Sequence, residues 1–268
     1  MKQITSRDNP VFKRLSRLAA GKPERLEGEP GYLLLIEGHH LCLAWLDHAG
    51  QPEAAFFDDE RLASDAQVRA LAGRVPELRS TGLAPSLARA LSQVGHGQGV
   101  YFLVRAPAPE RPALIRRSAL WLDQIQDPGN VGTLLRTAAA AGISQVYLSS
   151  GCAAAWSPKV LRSAQGAHFV LAVYEHVDLA AETDRLCIPL VATSLQRAVS
   201  LYDAELADQC VWVMGNEGQG VSPPLLERAD QRVFIPQEPA VESLNVAAAA
   251  AVCLFEHRRR QLAGDFGG

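Results

Sequence analysis

Three short segments of this 268-residue chain hold the residue types that chemistry needs, each at the end of an apolar run of strand type. The first reads Asp123-Gln-Ile-Gln-Asp-Pro-Gly-Asn-Val-Gly-Thr-Leu-Leu-Arg136. A strand ends, a Pro-Gly turn follows, Asn130 is placed to cap the next helix, and Arg136 falls six residues later inside that helix. The second, Val211-Trp-Val-Met-Gly-Asn-Glu-Gly-Gln-Gly220, runs a buried strand into three glycines around one carboxylate, Glu217. Glycines there let the backbone approach a ligand closely. The third runs from Arg232 to Val246: a strand leaves through a proline-containing loop, and Ser243 or its neighbour opens an alanine-rich helix. Taken singly, each has a plain structural explanation. Asn130 reads as a helix cap with Arg136 on the surface, the glycines as a flexible turn, and Ser243 or Asn245 as a second cap.

Several other chemistries lack their signatures. No GxGxxG follows a strand, and the glycines of Gly215–Gly220 and Gly95–Gly99 stand at the wrong offsets for a dinucleotide turn. Neither GxxxxGK[ST] nor GxSxG occurs, which speaks against P-loop phosphoryl transfer and against a hydrolase elbow. His39 and His40 are adjacent, so on a helix they diverge by about 100° and make poor joint ligands. The five cysteines contain no CxxC pair, so no zinc site or disulfide framework is expected and a reducing, cytoplasmic setting is. The longest wholly apolar run, Val246–Phe255, is ten residues, against the roughly 20 of a spanning helix. The first residues show no secretory pattern.

The elements that must position the three segments follow from periodicity. The first half reads as a small α/β domain. Its helices are expected at Asp8–Ala20, Gly38–His48, Glu60–Ala72 and Pro85–Gln93. Its strands are expected at Tyr32–Ile36, Ala54–Phe57, Leu78–Thr81 and Val100–Arg105. Val11, Phe12, Leu15 and Leu18 make one face of the first helix, with Lys13, Arg14 and Arg17 off it. Three prolines between Ala106 and Pro112 favour an extended connector. The second half alternates strand (Leu120–Asp123, Gln145–Ser149, His168–Tyr174, Pro189–Thr193, Val211–Met214, Arg232–Ile235) with helix (Val131–Ala141, Pro158–Gln165, Leu179–Leu186, Pro224–Arg228, Leu244–Arg260). That alternation predicts a mostly parallel α/β sheet. The expected organisation is a domain over 1–107, a linker over 108–117 and a second domain over 118–268. The helix from Leu244 is apolar on every face and is therefore expected to be buried, against the sheet or a partner chain.

Charge divides the same way. The whole chain carries −3, which by itself disfavours a nucleic-acid partner. Residues 1–117 hold 16 basic and 13 acidic groups, a net of +3, and the remainder hold 10 and 16, a net of −6. Seven of those basic groups and only two acidic ones fall within residues 1–26. A basic front half and an acidic back half point to a division of labour.

In this order and spacing, N-x-G-x-x-x-R, G-N-E-G-x-G and I-P-x(6)-S-L-N-V resemble the SpoU/TrmH branch of the SPOUT RNA methyltransferases, over roughly residues 118–260. Arg162-Ser-Ala-Gln-Gly-Ala167 and Val191-Ala-Thr-Ser194 are similar to the family's intervening segments. The front half is more loosely similar to its small substrate-binding domain, best at Ile36-Glu-Gly-His39. The resemblance implies a trefoil-knotted fold and transfer of a methyl group from S-adenosylmethionine to a ribose 2′-hydroxyl of ribosomal or transfer RNA, ribosomal favoured. It implies a cofactor pocket of Thr193, Ser194, Leu195, Gly215, Asn216, Ile235, Ser243, Leu244 and Asn245. It also implies Arg136 as the catalytic arginine, with Asn130 orienting it or the ribose, Glu217 positioning it or its loop, and Ser243 and Asn245 holding the pocket. No metal is expected, and a homodimer is. Lys13, Arg14 and Arg17 are the expected RNA contacts. Two alternatives stand beside this reading: a non-catalytic RNA-binding or ribosome-assembly factor on the same scaffold, and a base methyltransferase on a related fold.

Overall fold

The computed structural model describes residues 1–26, 31–93, 97–238, 240 and 243–265. They fall into two compact units, one of Met1–Ala108 with Trp156–Phe169 and one of Pro109–Ala155 with Val170–Gly268.

In chain order the first unit contains β1 (Lys2–Ile4), α1 (Pro10–Ala19), β2 (Glu24–Arg25), β3 (Tyr32–Glu37), α2 (His39–His48), β4 (Ala54–Asp58), α3 (Asp59–Ser64), α4 (Ala66–Ala72), β5 (Ser80–Leu83), α5 (Pro85–Leu91) and β6 (Val100–Arg105). The strands form one mixed sheet in the order β1-β5-β4-β6-β3-β2. Asn9 accepts from the Val11 amide at 2.9 Å and Pro10 fills the first turn, so α1 begins where its sequence says it should. Phe12, Leu15 and Leu18 bury its apolar face against Leu35, Phe56 and Tyr101, whereas Val11 stays 43% exposed. One helix was expected over Glu60–Ala72. Two form because Asp65 takes an extended conformation (φ −104°, ψ 120°) and caps α4 through the Gln67 and Val68 amides. β1 and β2 are too short to leave a periodic signal.

The remaining elements are β7 (Ala119–Asp123), α6 (Pro128–Ala140), β8 (Gln145–Leu148), α7 (Pro158–Ala164), β9 (Ala172–Tyr174), α8 (Leu179–Glu182), β10 (Leu190–Thr193), β11 (Val199–Ser200), β12 (Val211–Gly215), α9 (Pro223–Arg228), β13 (Gln231–Phe234) and α10 (Val246–Asp265). Seven strands make a sheet in the order β11-β13-β10-β12-β7-β8-β9, and every pairing is parallel. Such a sheet is covered on both faces, so its strands are near-continuous apolar runs. Trp121 and Trp212 are fully buried in it.

Two expectations for this half are corrected. The expected boundaries put α7 in the second domain, residues 118–268. It groups with the first unit, where Pro158 packs beside Gly21 and Phe169 stands edge-on to Trp45, ring centroids 5.0 Å apart. The strand expected from His168 begins only at Ala172, because Gln165 (φ 51°) and Gly166 (φ 90°) end α7 and residues 167–169 form a 3-10 turn.

α10 packs along α6. Its His257 is 4% exposed, accepts from Trp212 Nε1 at 3.2 Å and donates from Nε2 to the Ala207 carbonyl at 2.9 Å. Burial holds this imidazole below its usual pKa, so it sits in the core as a neutral ring. The helix is not buried all round: Phe255 is 47% and Leu262 42% exposed. No helix of the described residues is long and apolar enough to cross a membrane.

Candidate active site

In an open parallel sheet the carboxyl ends of the strands are where ligands bind. All three chemical segments leave such ends: α6 follows β7, the Gly215–Gly220 loop follows β12, and the segment to α10 follows β13. β13, β10, β12 and β7 are neighbours in the sheet, so these ends lie side by side.

Asn130 was expected to cap α6. Instead Asp127 is the cap, accepting from the Asn130 amide at 2.9 Å, and Pro128 occupies the first helical position. A carboxylate before proline is the better starter, because proline's missing N–H is one of the helix's unpaired donors in any case. The Asn130 side chain is thereby released for other work. Its Nδ2 donates to Glu217 Oε1 at 2.9 Å, and its Oδ1 accepts from Asn245 Nδ2 at 3.0 Å. Asn245 Oδ1 in turn accepts from the Ala247 and Ala248 amides at 2.9 and 3.3 Å. Asn245 is thus the cap of α10, while Ser243 lies exposed before it. One side chain from each segment joins a single hydrogen-bonded chain. Pro239, Val241 and Glu242 of the third segment lie outside the described residues.

The Glu217 loop is shaped by its ends. A Cβ on Gly215 would stand 2.1 Å from the Gly220 carbonyl carbon and from the Val221 nitrogen, so no other residue fits there. Asn216 Oδ1 accepts from the Gly218 and Gln219 amides at 2.9 and 3.1 Å, and the Gly220 amide donates to the Asn216 carbonyl at 2.8 Å. This is a closed turn rather than a flexible one.

Next to it lie the other strand-end residues. Thr193 ends β10 and donates from Oγ1 to the Val213 carbonyl at 3.2 Å. The Ser194 amide donates to the Val233 carbonyl at 3.0 Å, and its Oγ accepts from the Gln196 amide at 3.1 Å. Leu195 is 71% exposed, Leu244 40% exposed and Ile235 half-buried. Backbone polar groups thus alternate with uncovered apolar side chains at these strand ends. No group of three or more His, Cys, Asp or Glu among the described residues is placed to hold a metal ion. A separate cavity of about 710 Å³ between Arg117, Gly142 and Arg258 opens at the opposite, amino-terminal edge of the sheet, away from these residues.

Arg136 stands apart. It is exposed on α6, six residues from Asn130, which puts it about 120° round the helix and about 9 Å along it. Neither Asn130 nor Glu217 orients it, and it makes no hydrogen bond or ion pair with the described residues of its own chain. In the first unit, Lys13 is paired with Asp8 at 2.9 Å, and Arg14 forms a two-pronged pair with Glu24 at 2.9 and 2.6 Å. Those bonds hold the Glu24 carboxyl below its usual range. Arg17 is exposed. Sequence reasoning missed Asp127, which its place before Pro128 could have revealed, and Asp123, a carboxylate at the very end of a buried strand.

The SpoU rRNA Methylase family model matches residues 117–255. An uncharacterized tRNA/rRNA methyltransferase of Synechocystis is 35% identical over 99% of this chain and 96% of its own length. The 23S rRNA (guanosine(2553)-2′-O)-methyltransferase RlmP of Bacillus subtilis is 33% identical over 96% of this chain and all of its own. The crystal structure of an AdoMet-bound rRNA methyltransferase from Sinorhizobium meliloti superposes with a TM-score of 0.78 at 25% identity, covering 97% of this chain and 98% of that one. With the motif residues of all three segments bonded together on one parallel sheet, the chain belongs to the SpoU rRNA methylase family.

Proposed function

We propose that this chain transfers a methyl group from S-adenosylmethionine to a ribose 2′-hydroxyl of ribosomal RNA. The observation that carries the reading is the hydrogen-bonded chain Glu217–Asn130–Asn245 beside the ends of β10, β12 and β13. The strand-end lining suits the cofactor. Thr193, Ser194, Gly215 and Asn216 offer backbone and side-chain hydrogen bonds to adenine and ribose, Leu195, Ile235 and Leu244 offer apolar cover, and Ser243 and Asn245 close that side. When bound, S-adenosylmethionine supplies an electrophilic methyl group.

The chain's own residues must then hold a weak nucleophile in line, let its proton pass to water as the new carbon–oxygen bond forms, and support the alkoxide character that the oxygen gains as that proton leaves. A guanidinium gives up its proton too reluctantly for a general base, but it grips phosphate in two places and stabilises a developing alkoxide. That is the role we assign to Arg136. Glu217, through Asn130, holds the loop on which the cofactor pocket depends. Because Arg136 makes no bond with this cluster on its own chain, we place its action at the surface of a second copy. Ala248, Phe255 and Leu262 recur every seven residues as an exposed stripe on α10, which suits a homodimer. The trefoil knot, the cytoplasmic setting and an RNA-binding role for the first unit, with Arg17 as the member of Lys13, Arg14 and Arg17 that makes no ion pair among the described residues, belong to the same proposal.

The test uses purified protein, radiolabelled S-adenosylmethionine, and ribosomal and transfer RNA from a strain lacking the gene. The expected product is label in ribosomal RNA at a linkage that resists alkali, because a methylated 2′-oxygen cannot attack its phosphate. Label on a base, label only in transfer RNA, or no binding of S-adenosylmethionine overturns the reading.

A further inference from the structure

The tight turn of residues 215–220 is satisfied internally, so something must fix it to the sheet. Among the described residues and beyond the β7–β12 ladder, three hydrogen bonds that involve a side chain tie the Gly215–Ser222 segment to the Asp123–Arg136 segment. Glu217 takes one from Asn130. Asn216 Nδ2 donates to the Gln124 carbonyl at 2.8 Å, and the Ser222 amide donates to Asp123 Oδ2 at 2.8 Å. The last two act on opposite ends of the segment and come from adjacent residues at the tip of β7.

Asp123 is 5% exposed, and its Cα is the register partner of Gly215. A buried carboxylate is expensive unless its oxygens are bonded, and no lysine or arginine among the described residues pairs with this one. Gln124 beside it takes φ 60°, a conformation that a residue with a side chain adopts rarely. That bend takes its carbonyl out of the strand ladder, and Ser149 Oγ steadies it by accepting from the Gln124 amide at 2.8 Å.

We infer that Asp123 is a positioning residue for the methyltransferase reaction. With the bent Gln124 carbonyl it clasps both ends of the Gly215–Ser222 loop and fixes Asn216 and Glu217 where the cofactor pocket needs them. This rests on the reading of the site given under the proposed function.

Two near-isosteric variants test it. Asp123→Asn keeps a carbonyl oxygen for the Ser222 amide, and Asp123→Leu keeps the branched shape with methyls in place of both oxygens and so no acceptor. The readouts are S-adenosylmethionine binding by calorimetry and KM for cofactor and for ribosomal RNA, on the full chain. For Asp123→Leu we expect at least a tenfold rise in Kd and KM for S-adenosylmethionine, with KM for RNA within twofold of wild type. Asp123→Asn should return the cofactor values to within threefold. A Leu variant that binds as tightly as the Asn variant overturns the clasp. So does one that unfolds, or that loses cofactor and RNA affinity in equal proportion, since Asp123 would then be structural only. Failure of wild type to bind S-adenosylmethionine instead rejects the function on which the clasp rests.

Discussion

The motif cluster of the second unit and the basic stripe of α1 in the first are built from similar polar side chains bonded in opposite ways. Asn130 reaches Glu217 across 87 residues and Asn245 across 115. Arg14 reaches Glu24 across only ten, and Lys13 reaches the nearby Asp8. Local pairs of exposed charges form on any protein surface and contribute little to stability. The cluster is also largely open to water, which could satisfy each of its groups separately. Bonds that exist only when three distant segments converge therefore mark a site better than residue type does.

The contrast can be broken most severely at Arg136. Arg136→Ala should lower kcat by about 100-fold or more, the cost of losing one donor to a developing oxyanion, while calorimetry finds cofactor binding within twofold of wild type. An active Arg136→Ala enzyme would mean that the convergent cluster carries the reaction without the arginine. A smaller effect is expected inside the cluster. Asn130→Ala unlinks Glu217 from Asn245 and should lower kcat/KM by about tenfold, the scale of one hydrogen bond to a charged group. Glu217→Gln keeps an acceptor and should cost less. Equal losses in the two would show that charge on Glu217, not its link to Asn130, is what counts. The smallest effect belongs to α1. Arg17→Ala should reduce the slope of log K for RNA against log salt by about 1, and Lys13→Ala by less, because Asp8 already offsets that lysine. A larger change from Lys13 would erase the distinction between ion-paired cations and Arg17, which makes no ion pair among the described residues.

Much of this was legible in the sequence because the informative signals are local. Apolar runs gave the parallel strands, and the order of N-x-G-x-x-x-R, G-N-E-G-x-G and S-L-N-V identified the family. What was not legible depends on competition between neighbours or on tertiary pairing. Asn130 and Asp127 are both good caps, and only the proline between them decides which one starts α6. Asp65 breaks a periodic helix because it caps a second one. The affiliation of Trp156–Phe169 follows from packing against Trp45, which no spacing reveals. Asp123 looked like the end of a strand, and its bond to Ser222, 99 residues on, appears only in the fold.

The chain from α10 to Glu217 also has a direction. Backbone amides of Ala247 and Ala248 donate to Asn245, Asn245 donates to Asn130, and Asn130 donates to the Glu217 carboxylate. Every bond points the same way, from a terminus that can only donate to a group that only accepts when ionised. Reversing either amide would set two donors or two acceptors face to face, so both orientations are locked by their neighbours. The positive end of a 20-residue helix is in this way relayed through two neutral side chains toward one carboxylate. The fixed orientation of the Asn130 and Asn245 amides therefore ties the Glu217 loop to the first turn of that helix.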